Sequence, residues 1–231
     1  MKYLALVLLS LLIVSCGPSI NPALQQKINN FYGNSSSKSF TMSGSFSKPM
    51  PLKVGQWVLQ GSNNEGKKSV NKISIVGQEQ GGWIFEFYSL TESEENWNQM
   101  LIKGLETANE TKNMDEIDIV WVKIKDKDGN VSSIDGMVLS LSKGMYKQTL
   151  SSLNLKLTSG SNGGTVTVPA GTFNGTYKAK AEVTVLGRKY TTDAWYHSDV
   201  PINGMVKAVS DDGKIVTELL DFGLTGATRS F

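Results

Sequence analysis

The chain has 231 residues, of which 39% are apolar and 19% charged, so a buried core is affordable and wholesale disorder is excluded. The 23 basic and 21 acidic side chains leave a formal charge of +2, too weak a balance for broad phosphate-driven binding of nucleic acid. A single Cys and a single His exclude a disulfide framework, a Cys/His zinc site and most Cys–His chemistry, and no metal or cofactor is expected.

In chain order, Lys2 is a positive n-region and Leu4–Val14 an apolar run broken only by Ser10. That run is short for a bilayer span and fits a secretory signal over residues 1–15. Ile13-Val14-Ser15 before the sole Cys resembles the bacterial lipobox. The resemblance implies cleavage before Cys16, a diacylglyceryl thioether on its sulfur and acylation of the new amino group. Two or three acyl chains hold a protein at a membrane where one does not. Gly17, rather than Asp, after the Cys implies an outer-membrane address by the enteric sorting pattern. The expected location is therefore the outer membrane, lipid-anchored, on the periplasmic face.

Residues 16–48 read as the lipidated Cys and a tether with a short helix. Asn21-Pro22 supplies a cap and a first helical residue, Leu24, Ile28 and Phe31 share a face, and Gly33 closes it. The Ser/Lys/Gly/Asn-rich stretch to Lys48 is a tether or a weakly paired strand around Phe40–Phe46. Residues 49–231 form the folded domain, mainly of period two. Lys72–Val76 is a strand, and Trp83, Phe85 and Phe87 share one face of the next. A long helix is predicted next: Trp97, Met100, Leu101, Gly104, Leu105 and Ala108 repeat at three and four, after a capping box at Thr91 and Glu94. Ile117–Lys125, carrying Trp121, returns to strand and turns at Asp128-Gly129, and Met137–Leu141 is a further strand. Thr165–Val168, Thr176–Val185, Lys189–Tyr196, Gly204–Ser210 and Lys214–Phe222 complete the strands, with turns at Leu186-Gly187 and Asp212-Gly213. The expected fold class is mainly β (α+β): a single curved antiparallel sheet, a half-barrel, packed on one main helix.

The polar clusters have bland explanations. Asp126, Asp128 and Asn130 alternate like calcium ligands, but Val131 and Met137 stand where the loop needs Gly and Glu, so a solvated hairpin turn is the better reading. His197 has Ser198 and Asp199 as sequence neighbours, which point different ways, so a surface-loop His is expected rather than a catalytic base. Glu92/Glu94/Glu95 suit a helix start and Asp115/Glu116/Asp118 a strand start, in preference to glycosidase acid pairs. Gly160–Gly164 lacks the Lys-Ser/Thr ending of a phosphate loop. The aromatic and apolar side chains have two readings: core, or a ligand-binding face made by Trp83, Phe85, Phe87, Trp97, Met100, Leu101, Leu105 and Trp121.

The segments Val168-Pro169-Ala170-Gly171-Thr172-Phe173, Ala194-Trp195-Tyr196, Val200-Pro201, Gly204-Met205-Val206-Lys207 and Glu218–Gly223, with Val54-Gly55-Gln56-Trp57, resemble a group of uncharacterised bacterial envelope proteins. Their sheet is similar to the half-barrel of the LolA/LolB lipoprotein carriers. The resemblance implies a curved sheet around helical segments with an apolar inner face that holds acyl chains in the carriers, and it transfers no catalytic residue. The function expected is non-catalytic: a lipid or other apolar ligand held in the concave face, or alternatively an assembly component of the envelope that binds a protein partner without a ligand cavity.

Overall fold

The computed structural model describes residues 20–111, 113–150, 160–185 and 188–231. Pro22–Gly33 is helix α1 and Ser39–Thr41 a short strand, β1; a meander follows of β2 (Trp57–Asn64), β3 (Lys67–Glu79), β4 (Gly82–Leu90) and β5 (Glu95–Lys103). Helix α2 (Leu105–Thr111) and a 3-10 turn at Met114–Glu116 lead to β6 (Asp118–Lys125), β7 (Val131–Ile134) and helix α3 (Gly136–Thr149). The last strands are β8 (Gly160–Val168), β9 (Gly171–Val185), β10 (Arg188–Tyr196), β11 (Met205–Ser210) and β12 (Ile215–Gly223).

All twelve strands belong to one open, curved sheet in the order β1-β9-β10-β11-β12-β2-β3-β4-β5-β6-β7, with β8 on β9 off that path. The fold is mainly β, of α+β type, as the period-two patterning predicts. Neighbours pair antiparallel except β1, which runs parallel to β9. The seam between the two meanders is β12 on β2, where Gly223 faces Trp57.

Both faces of the sheet are covered. The larger cluster lies on what is here termed the inner face, where Val58, Ile75, Phe85, Met100, Val122, Phe173 and Leu219 pack with Leu105 and Ala108 of α2, Leu139 of α3, and Val200 and Ile202 of the β10–β11 connection. On the outer face Ile28 of α1 sits on Leu59, Val70, Leu90 and Leu220. Farther along it, Val76, Ile84 and Leu101 lie under Ala227 of the C-terminal tail. Helix α1 forms as the sequence predicts: Asn21 Oδ1 accepts the Ala23 N–H at 3.0 Å, and Pro22 opens the first turn. Its approach depends on Gly61, since a Cβ there would stand 2.6 Å from the Tyr32 ring and 2.9 Å from Leu220. Helix α1 and β1 both precede the boundary at residue 49 and both are held by the sheet, one packed on its outer face and one paired to β9.

Two expected elements are corrected. The helix over Trp97–Ala108 is strand β5 up to Lys103, paired to β4 and β6, and only Leu105–Thr111 is helical. Because both faces of β5 are covered, Met100 and Ile102 point inward and Leu101 outward, and three successive apolar residues imitate helical spacing. Thr91 Oγ1 does accept the Glu94 N–H, at 3.0 Å, but this closes the β4–β5 turn rather than a helix start. The chain leaves β5 at Gly104, at φ +73°, where a Cβ would lie 2.0 Å from the Glu116 carbonyl oxygen. The second correction is Met137–Leu141, which belongs to helix α3 and not to a strand. Besides the expected short helix α1, the described residues thus hold α2 and α3 in place of one long helix.

Candidate functional site

The eight residues of the predicted ligand face do not share a face. Phe85 and Met100 of β4 and β5 and Leu105 of α2 are buried in the inner cluster, with Trp83 and Phe87 half-buried against it. Leu101 and Trp121 lie in the outer cluster under the C-terminal tail. Trp97 packs tilted against Tyr88, ring centres 5.2 Å apart, with the Lys125 ammonium 4.8 Å from its ring centre. Strand alternation divides what a helix would have gathered. Trp83 is anchored by its indole N–H, which donates to Glu106 of α2. Cys16, the expected lipid attachment site, lies outside the described residues.

Among the polar candidates, Glu95, Asp118 and Asp126 are engaged by neighbours. Glu95 pairs with Lys27 of α1 and accepts the Tyr88 hydroxyl at 2.8 Å; burial, and after it this carboxylate, pushes that phenol far up. Asp118 pairs with Lys143 of α3 at 2.8 Å. Asp126 Oδ1 accepts the N–H groups of Asp128 and Asn130, at 2.9 and 2.8 Å. The Asn130 side chain is the chief cause holding the Asp126 carboxyl below its ordinary range. This is the predicted hairpin turn. Gly160–Gly164 forms the start of β8.

His197 is not a surface residue: its side chain is fully buried, edge-on to Phe173 with ring centres 5.3 Å apart. Its Nδ1 accepts the Asp199 N–H at 3.2 Å. The ring opens a buried connection in which Ile202 holds φ +67°, a left-handed backbone unusual for a β-branched residue. Burial lowers the imidazole's proton affinity, opposed more weakly by the Asp199 carboxylate and the Asn174 backbone. A lowered folded-state value means the unfolded chain binds the extra proton first, so this contribution is complete above the unfolded value near 6.5 and is lost as pH falls below it. The unfolding free energy is therefore expected to fall as pH drops below about 6.5, by at most about 1.4 kcal/mol per pH unit. His197→Gln is expected to flatten that slope in urea titrations at several pH values.

Two cavities open among the described residues. One of about 470 Å³ lies between the 42–45 segment and the β8–β9 hairpin, with Tyr177 and Thr176 in its wall. The other, about 580 Å³, is a groove on the outer face beside the end of α1. Its apolar lining is Phe31, Trp57, Leu59 and Leu220, and its polar lining includes Asn34, Ser35–Ser37, Lys38, Lys72 and Asp221. The chain leaves α1 extended at Asn34, and the Ser36 N–H donates to the Pro169 carbonyl at 2.7 Å, which fixes this rim to the β8–β9 turn. Strand alternation sends Leu219 to the inner core and Leu220 to the groove, and a bulge in β12 between Leu219 and Asp221 returns Phe222 to the inner face. The Lys72 ammonium stands 4.7 Å from the Trp57 ring centre, and the indole N–H donates to Thr225 at 3.2 Å. The groove escapes sequence reasoning because α1, β2, β3 and β12 contribute to it from opposite ends of the chain.

One surface is apolar and uncovered. In α3, Leu139 faces the core, while Met137, Val138 and Leu141 are 81%, 64% and 86% exposed. Helix α3 follows β7 after one residue, and β7 is a terminal strand of the sheet, with Val131 exposed at its start.

No protein-family model matches the sequence, and no curated protein matches it. Among solved structures, that of MucB in complex with MucA(peri) aligns with 77% of this chain at 11% identity and a TM-score of 0.38. The alignment covers 52% of that chain, so the present chain spans about half its length. No helix among the described residues is long and apolar enough to cross a membrane.

Proposed function

We propose that the chain is a non-catalytic, lipid-anchored envelope protein that docks a partner polypeptide on the β7 edge and the adjoining face of α3. The carrying observation is the exposure of Met137, Val138 and Leu141 beside a strand that, among the described residues, pairs on one side only. An edge strand presents unpaired N–H and C=O groups, which an extended segment satisfies by adding as the next strand. Large side chains left in water on a neighbouring helix supply the apolar contact that backbone pairing lacks. The inner face is a less suitable ligand site, since Phe85, Met100 and Leu105 are each at most 3% exposed and already packed. The lipobox resemblance at Ile13–Cys16 supports the anchor and Gly17 the outer-membrane address. The resemblance of Val168–Gly223 to LolA/LolB-like sheets supports an envelope setting.

The test uses intact cells. A photo-crosslinking residue at Leu141 is expected to trap one discrete protein, and a probe at exposed Ser45 is not. Leu141→Glu, at a position 86% exposed and so harmless to folding, is expected to weaken capture by a probe at Val131 about tenfold. Equal capture at Leu141 and Ser45 overturns the docking surface. Cys16→Ser is expected to move the protein out of the membrane fraction, and mass spectrometry showing an unmodified Cys16 thiol in the parent chain overturns the anchor.

A further inference from the structure

We infer that the outer-face groove is a binding site for a single-chain amphiphile with an acidic head group. The inference is independent of the α3–β7 surface, which lies on other elements. Phe31, Leu59 and Leu220 give the groove an apolar floor, and Trp57 gives it a flat aromatic wall. Its volume, about 580 Å³, falls in the range that buries a small ligand. Charge selects the ligand class. Lys38 and Lys72 both line the groove, and among the described residues neither has a carboxylate partner within ion-pair distance. The one carboxylate in the lining, Asp221, is exposed and already accepts the Phe222 N–H at 2.9 Å. Two cations against one carboxylate leave the lining net positive above hydrocarbon, which complements an acid with an acyl tail. A neutral alkane leaves the lysines unused, and a cationic amphiphile meets them as like charges. The three serines at the rim, Ser35–Ser37, add hydroxyl donors near the same mouth.

Calorimetric titration of the full chain carrying Cys16→Ser, so that no attached acyl group competes, separates the terms. Below their micelle concentrations, dodecanoate and dodecyl phosphate are expected to bind saturably at one site. Dodecyltrimethylammonium, acetate and inorganic phosphate are not. The double variant Lys38→Gln/Lys72→Gln is expected to weaken dodecanoate about tenfold or more, as loss of a charge-assisted contact does. Ser35→Trp, on an exposed rim position, is expected to fill the groove and abolish binding while leaving the thermal midpoint unchanged. The assignment is overturned if dodecanoate does not saturate, if the cationic amphiphile binds equally well, or if both variants bind as the parent does. Retention in Ser35→Trp alone places the site elsewhere and also overturns it.

Discussion

Truncating Phe173 to Ala is expected to cost about 3–5 kcal/mol, a large part of the stability of an ordinary single domain. The side chain is fully buried in β9. It stacks on Phe40 of β1 with centres 4.7 Å apart and planes 14° from parallel. Phe222 of β12 lies 6.2 Å away, and His197 meets it edge-on. Three other segments therefore converge on this ring of β9, and the cavity left by Ala has walls fixed by separate elements that cannot close in together. Aromatic pairing adds about 0.5–1.5 kcal/mol beyond the area buried. Urea unfolding followed by tryptophan emission measures the loss. Phe87→Ala, half-buried against the same cluster, is the internal control and is expected to cost less. A loss below about 1 kcal/mol for Phe173→Ala contradicts the picture of a closed inner core.

Ending the chain after Ala227 is the second large effect, expected at about 2–4 kcal/mol. Glu86 of β4 and Gln99 of β5 point to the outer face, yet are only 6% and 1% exposed, because the C-terminal tail crosses them. The Glu86 carboxylate accepts the Ser230 N–H at 2.9 Å, the Ser230 hydroxyl at 2.6 Å and the Gln99 amide at 2.8 Å. Gln99 also donates to the Phe231 oxygen at 3.0 Å. A hydrogen bond to a buried charge contributes about 1.5–3 kcal/mol, and water entering after truncation recovers part of it. Ala227, which packs over Ile84 and Leu101, is retained, so the loss reports on the Glu86–Gln99 network. Ser230→Ala, which removes one of these bonds and keeps the covering chain, is expected to fall between the parent and the truncation in thermal melts. A truncated chain that melts with the parent shows that the tail contributes nothing to the fold.

The sheet was legible where local chemistry and tertiary environment agree. Asn21, Pro22, Ile28 and Gly33 specify α1 by cap, φ and spacing, and the chain obeys each signal. The alternation of Tyr177, Ala179, Ala181 and Val183 gives β9, and Asp128-Gly129 and Asp212-Gly213 sit in their predicted turns, while the Leu186-Gly187 turn lies outside the described residues. Legibility fails where burial on both faces erases the period. Met100, Leu101 and Ile102 are apolar in succession because α2 lies on one side of β5 and the tail on the other, and no local signal announces either. Met137, Val138, Leu139 and Leu141 mislead in the opposite sense. Three of the four are in water, so their apolar character follows no core, and a strand was the natural reading. The groove was illegible for a topological reason: Phe31, Trp57, Lys72 and Asp221 meet only after the last strand has paired.

That last pairing has a kinetic consequence. The β12–β2 pairing, in register from Gly223 opposite Trp57 to Ile215 opposite Asn64, joins segments far apart in sequence. The β2–β5 meander emerges from synthesis early, yet one flank of β2 stays bare until residues near 223 exist. Closing so long a loop is entropically slow, and a bare flank recruits other chains in the meantime. Refolding is thus governed by the zipping of this boundary, and the flank of β2 stays open to other chains until β12 has paired with it.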